Sequence, residues 1–181
     1  MKSYNYANRE GVKKISWQEF GTLSANLAEK LEVYKPQVIV GIARAGLFPA
    51  TSAACYLRLE MFPVRVTRRV NDLVVYKTPK WKVPVSSEVE CKVVAVVDEI
   101  ADSGETLKLV REQILAKGAL KCITSSLVSH SWADPIPDVT VLVSDALIIF
   151  PWDREILKNG KWQMHPEIKA VIGSPSKSHE N

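Results

Sequence analysis

The chain has 181 residues, 46% of them apolar and 24% charged, which suits one soluble globular domain with a full core. No apolar run approaches the roughly 20 residues a membrane helix requires, so no membrane association is expected. The net charge of +4 is mild and scattered apart from "RVTRRV" at 65–70 and "KTPKWK" at 77–82. A nucleic-acid binder shows a stronger excess on one face, so an anionic small molecule is the expected partner and no nucleic acid is.

"MKSYNYANREGVKK" has basic residues but no apolar core behind them, which argues against a secretory signal and for a cytoplasmic protein. Ser16 and Glu19 have capping-box spacing, and Phe20, Leu23, Leu27 and Leu31 follow at helical intervals up to Pro36. "QVIVGI" at 37–42 reads as a buried strand, followed by a helix over about 47–59. "MFPVRV" at 61–66 is a further strand, with Pro63 placing it at an edge or starting it late. From Thr67 to Glu90 no period is sustained, and so long a connection in a compact domain marks a flexible loop, a candidate lid.

"KVVAVV" at 92–97 is the strongest strand signal, apolar enough to be covered on both faces. Leu107, Val110 and Ile114 give the next helix its inner face, Gly118 stops it, and "KCITSSLV" at 121–128 is the next strand. One or two strands lie in 138–150 before Pro151, and "SPSKSHEN" reads as a disordered tail. Recurring strand, helix, strand makes the class α/β, an open, mostly parallel sheet with helices on both faces. Cys55, Cys91 and Cys122 lack the paired short spacings of a zinc site and are expected to be free, buried thiols.

The chemistry concentrates in "VVAVVDEIADSGETLKLV" at 93–110. In an open parallel sheet, ligands sit beyond the carboxyl ends of the strands. There the turn 102–106 offers successive N–H groups and the hydroxyls of Ser103 and Thr106 at a helix start, an anion site for a phosphate, with Gly104 allowing close approach. Asp98 and Glu99 repel phosphate and need another partner. The vicinal hydroxyls of a ribose fit, and a magnesium ion held partly through water would offset the charge. The plain structural alternative is an acidic turn with Asp102 or Ser103 as a solvated helix cap.

This stretch resembles the signature of type I phosphoribosyltransferases: an apolar strand, two acidic residues, then a turn with Asp, Ser or Thr, Gly, any residue and Thr. "GIARAGLFPA" at 41–50 resembles the pyrophosphate loop of that family. The resemblance spans about residues 36–153 and comes closest to the xanthine-guanine and hypoxanthine enzymes. It implies the fold of that family in a domain over 1–172, with a flexible loop at 67–90, a base-binding hood at 145–172 and a tail at 173–181. The implied reaction joins a 6-oxopurine to 5-phosphoribosyl 1-pyrophosphate, a step of purine salvage, with magnesium. The homodimers or homotetramers of the family are implied with it.

Residue by residue, the resemblance places the phosphoribosyl donor on Ala43, Arg44, Ala45 and Gly46 and on Asp98, Glu99, Ala101, Asp102, Ser103, Gly104, Glu105 and Thr106. Asp98 and Glu99 take the magnesium, and Asp102 is the base that removes a ring proton. Arg68, Arg69, Lys77, Lys80 or Lys82 would close over the pyrophosphate. "IIFPWD" at 148–153 resembles the base-binding end, so His130, Leu147, Ile148, Trp152 and Asp153 are the candidate base contacts. Leu147 departs from the aromatic residue usual there, and His130 stands near the usual lysine, where it would donate to the 6-oxo oxygen. Trp132 and Trp162 are expected to be packing residues.

Two other classes fit parts of the pattern. A non-catalytic sensor of the same fold would keep the phosphoribosyl pocket, but no DNA-reading extension is visible. An aspartyl-phosphate protein built on Asp98 would need an activating Lys or a second Asp two residues on, where Ile100 stands.

Overall fold

A computed structural model describes residues 10–67, 69–70, 73–77, 79–166 and 168–169. Arg68 and the expected tail at 173–181 lie outside the described residues. The chain enters through β1 (Val12–Lys14) and turns into α1 (Trp17–Glu32), where the Ser16 hydroxyl accepts from the Glu19 N–H at 3.0 Å. That bond satisfies one of the donors a helix start leaves open. The periodic residues Phe20, Leu27 and Leu31 are buried, as the spacing predicts.

β2 (Val38–Ile42), α2 (Leu47–Leu57) and β3 (Glu60–Thr67) follow, and Arg58 ends α2 in the left-handed conformation at φ 57°. β3 runs parallel to β2 over 60–64 and meets the antiparallel β6 (Lys80–Val83) only over 65–67. Pro63 therefore lies where β3 has a neighbour on one side, as a residue without an N–H requires. Between them β4 (Arg69–Val70) pairs with β5 (Leu73–Val74), so the segment expected to be aperiodic forms short strands in part.

β7 (Val93–Ala101), α3 (Glu105–Ala116), β8 (Lys121–Ser129) and β9 (Val139–Val143) complete a six-stranded sheet in the order β6-β3-β2-β7-β8-β9, parallel except for β6. Alternation along the strands divides the core. Ile39, Ala95, Val97 and Ile123 pack with α1 and α2 on one face. Val38, Val40, Val94 and Val96 pack with Leu107, Val110 and Ile114 of α3 on the other. Each such fully buried aliphatic side chain contributes about 1.5–3 kcal/mol. The sheet is the α/β class read from the sequence.

From β2 the chain moves outward to β3, and from β7 it moves the opposite way to β8. The order therefore reverses between the hydrogen-bonded neighbours β2 and β7, and the loops after them diverge to opposite faces. A crevice opens at such a switch point, at the carboxyl ends of the strands. Beside the sheet, β10 (Leu147–Ile149) pairs in parallel with β1, and β11 (Glu155–Lys158) forms a hairpin with β12 (Lys161–Met164). Trp162 is on that hairpin and 68% exposed, so it does not pack as expected; its cross-strand partner Leu157 is exposed with it. Cys122 is buried, but Cys55 and Cys91 are exposed, because they lie on an outward helix position and a tight turn.

Candidate active site

Both diverging loops carry the residues singled out in the sequence. After β2, Ala43 donates its N–H to the Val64 carbonyl at 2.7 Å, the Ala43–Arg44 peptide is cis, and the Leu47 and Phe48 N–H groups bond back to Arg44 and Ala45. Arg44 is exposed and Gly46 buried. A Cβ added to Gly46 would lie 2.6 Å from Asp98 Oδ1 and 3.0 Å from Asp98 Cα, so only glycine lets this loop close against β7.

The acidic pair lies within β7, which the sequence reading ended at 97. Pairing with β8 continues through Asp98↔Ser126 to Ala101↔Ser129, and the backbone hydrogen bonds outlast the apolar run. Asp98 is only 9% exposed. Burial, then the negative charge of Glu99 and a side-chain hydrogen bond with it, push its carboxyl well above the ordinary carboxylate range, although the Glu99 N–H donates to Oδ1 at 3.0 Å. Burial and repulsion thus oppose ionisation of Asp98 beside Glu99, and hydroxyl donors or a cation would relieve both.

Beyond Ala101 the chain passes Asp102 and Ser103 to Gly104, whose φ of 79° places it in the left-handed region. Gly104 is the N-cap of α3 and offers no side chain, while Ser103 Oγ reaches the Glu105 N–H at a long 3.4 Å. The helix start thus presents N–H groups to an anion, with Glu105 and Thr106 exposed beside them. Behind the turn a Cβ on Gly104 would strike the Pro135 carbonyl oxygen, and the Asp134 N–H donates to the Ser103 carbonyl at 3.1 Å. The segment 134–135 is a backing plate for the turn.

The structure brings His130 to this turn. Its N–H donates to the Ala101 carbonyl at 3.1 Å, Nδ1 bonds the Ser144 carbonyl at 2.6 Å, and Nε2 faces Asp102 Oδ1 at 3.8 Å. Trp132 stacks on the ring at a centroid distance of 4.4 Å and donates its indole N–H to the same Asp102 oxygen at 3.2 Å. Ser131 donates N–H and hydroxyl to Asp145 at 2.8 and 2.7 Å, and these bonds pull the Asp145 carboxyl below its ordinary range. The expectation that His130 donates to a base oxygen is corrected. Its ring is covered, and bonding at Nδ1 leaves Nε2 of a neutral ring an acceptor.

The remaining candidates occupy separate packing. Leu147 is buried with Ile149 and Ile168, while Ile148, on the opposite face of β10, packs against the main core. Trp152 stacks on Phe48 at 4.2 Å and on Phe150 at 4.8 Å. Asp153 follows in the short 3-10 turn Pro151–Asp153. Sequence reasoning missed Trp132 as a site residue, and it missed Ser144, Asp145 and the Asp134–Pro135 segment. The one available signal was a His and a Trp crowded at the carboxyl end of a strand.

The sequence matches the phosphoribosyl transferase domain family over residues 12–157. The xanthine-guanine phosphoribosyltransferase of Idiomarina loihiensis is 29% identical over 160 residues, 83% of this chain and 91% of that one. The Nitratidesulfovibrio vulgaris enzyme of the same description is 26% identical over 153 residues, 80% of this chain and 86% of that one. The crystal structure of a purine phosphoribosyltransferase from Pyrococcus horikoshii is similar with a TM-score of 0.72 and 30% identity, over 79% of this chain and 94% of that one. The matched span contains both loops of the crevice, from the Gly46 contact to the Gly104 turn, and the chain belongs to the phosphoribosyl transferase domain family.

Proposed function

We propose that the protein transfers the phosphoribosyl group of 5-phosphoribosyl 1-pyrophosphate to a 6-oxopurine, giving a nucleoside 5'-monophosphate and pyrophosphate in purine salvage. The observation that carries this reading is the crevice between β2 and β7, where the acidic pair, an uncapped helix start and a second small-residue loop converge. The phosphate would rest on the N–H groups of 103–106 and the ribose hydroxyls on Asp98 and Glu99. The pyrophosphate would lie against residues 43–46, with Arg44 as the cation. The basic residues of 67–90 would close over it.

Magnesium fits the buried carboxyl of Asp98 and the half-buried one of Glu99, which repel each other. Among the described residues no cluster of three or more His, Cys, Asp or Glu surrounds a common point, so oxygens of the donor and water must complete the shell. When bound, the ion would supply charge neutralisation for the departing pyrophosphate. The residues of the chain hold the ribose while positive charge develops at its anomeric carbon, and they exclude water from it. Asp102, whose side chain keeps 34% of its surface open, would remove the ring proton of the attacking base.

The base would lie between this turn and the hood at 145–172. Ile148 is its apolar wall and Asp153 the acceptor for ring or exocyclic N–H groups, with Leu147 and Trp152 supporting the wall from behind. No described helix is long and apolar enough to cross a membrane. A cytoplasmic location and a homodimer or homotetramer accompany this reading.

The test is pyrophosphate release from the donor with magnesium and guanine, xanthine, hypoxanthine, adenine, orotate or uracil. Turnover on the 6-oxopurines is expected, and Asp102→Ala should lower kcat about a hundredfold with a smaller change in donor KM. Preference for orotate or uracil would overturn the purine assignment. Tight donor binding without turnover on any base would instead favour a sensor of the same fold.

A further inference from the structure

The His130 ring is held at one nitrogen and open at the other. A carbonyl can only accept, so the 2.6 Å contact with Ser144 requires the proton on Nδ1. In the neutral ring Nε2 then carries a lone pair, and that atom is buried with no hydrogen-bond partner among the described residues. A buried acceptor left unpaired is costly, which makes this orphan a feature to explain.

What Nε2 faces is Asp102 Oδ1, at 3.8 Å, about 1 Å beyond a hydrogen bond. The two groups differ in access: the His130 side chain is 0% exposed and that of Asp102 34%. The carboxylate is thus the open group that stands next to the covered Nε2. Trp132 enforces this by covering the ring and by holding Asp102 with its indole N–H.

We propose that His130 is the proton acceptor behind Asp102, acting through it as a positioning residue that draws the ring proton of the base inward during transfer. This rests on the reading of Asp102 as the group facing the acceptor base. As the nitrogen of the base bonds to the anomeric carbon, the C–O bond to pyrophosphate breaks and its electron pair leaves with pyrophosphate. The base N–H bond breaks, and the proton passes to an Asp102 oxygen. A half-turn of the carboxyl brings that O–H to the place facing Nε2, where its oxygen replaces Oδ1 as the acceptor of the Trp132 N–H. Nε2, the unpaired acceptor, takes the proton, and Asp102 regains its negative charge beside an imidazolium. When the nucleotide leaves, the proton returns through Asp102 to water.

The charged groups facing the ring support a transient imidazolium. They are Asp102 at the turn after β7, and Asp145 after β9, whose ionised form the positive ring favours.

The test is His130→Asn, whose amide N–H can replace Nδ1 toward Ser144 while offering no basic lone pair. Measured on a 6-oxopurine, kcat should fall about tenfold or more with donor KM within about twofold. In the unaltered protein, ¹⁵N NMR of the histidine rings should show the Nδ1–H tautomer of His130. A kcat in His130→Asn within about twofold of the natural chain's, or an Nε2–H tautomer in the unaltered protein, overturns the relay alone. No turnover by the unaltered chain on any base overturns both the relay and the proposed reaction.

Discussion

Gly46 and Asp98 are in backbone contact across the switch point: a methyl on the glycine would sit 2.6 Å from the carboxylate oxygen and 3.0 Å from its Cα. The loop after β2 and the acid pair on β7 therefore form one rigid unit. Gly46→Ala must push β2 from β7 or rotate Asp98, at about 1–3 kcal/mol of strain. Turnover should drop at least about tenfold, and thermal unfolding should show the lost stability. A variant with unchanged turnover would mean that the two loops move independently.

Gly104 is constrained twice, by its positive φ and by the Pro135 carbonyl behind it. Gly104→Ala should displace the segment 134–135 and open the start of α3. The expected result is at least about tenfold weaker donor binding by calorimetry, since a left-handed alanine alone costs about 1 kcal/mol. Unchanged affinity would remove the turn from the phosphate site.

Asp98 is expected to oppose folding in the absence of ligand. Its carboxyl is pushed upward mainly by burial and then by Glu99, so the fold favours the protonated form. No penalty exists below the ordinary aspartate range. It grows as pH rises from there to the folded value and persists above it. Asp98→Asn should therefore unfold about 2 °C or more above the natural chain near pH 7, converge with it near about pH 3.5, and lose turnover. With Glu99→Gln added, turnover should be abolished in a folded protein. A less stable Asp98→Asn at neutral pH would show that the carboxylate is compensated.

The thiols should separate by reactivity. Cys55 and Cys91 are exposed, whereas Cys122 is buried and its thiol is pushed up to about 12, chiefly by burial. A colorimetric disulfide reagent should titrate two thiols in the native protein and the third only in denaturant. Three fast thiols would contradict the burial of β8.

Local pattern determined much of this protein. Ser16 and Glu19 marked the start of α1, the run Val93–Val97 marked the central strand, and the spacing from Asp98 to Thr106 displayed the acidic turn and the helix start. Those signals are short because hydrogen bonds and side-chain periodicity within one element act over a few residues. Tertiary structure decided what each element meets. Strand order placed Gly46 against Asp98, about fifty residues away, and put the segment 134–135 behind Gly104. It fixed the His130 tautomer through Ser144 and joined His130 and Trp132 to Asp102, although "SHSW" has no motif to announce it. It also exposed Trp162 and covered His130, because burial depends on which surfaces long-range register brings together, and residue type alone does not carry that information.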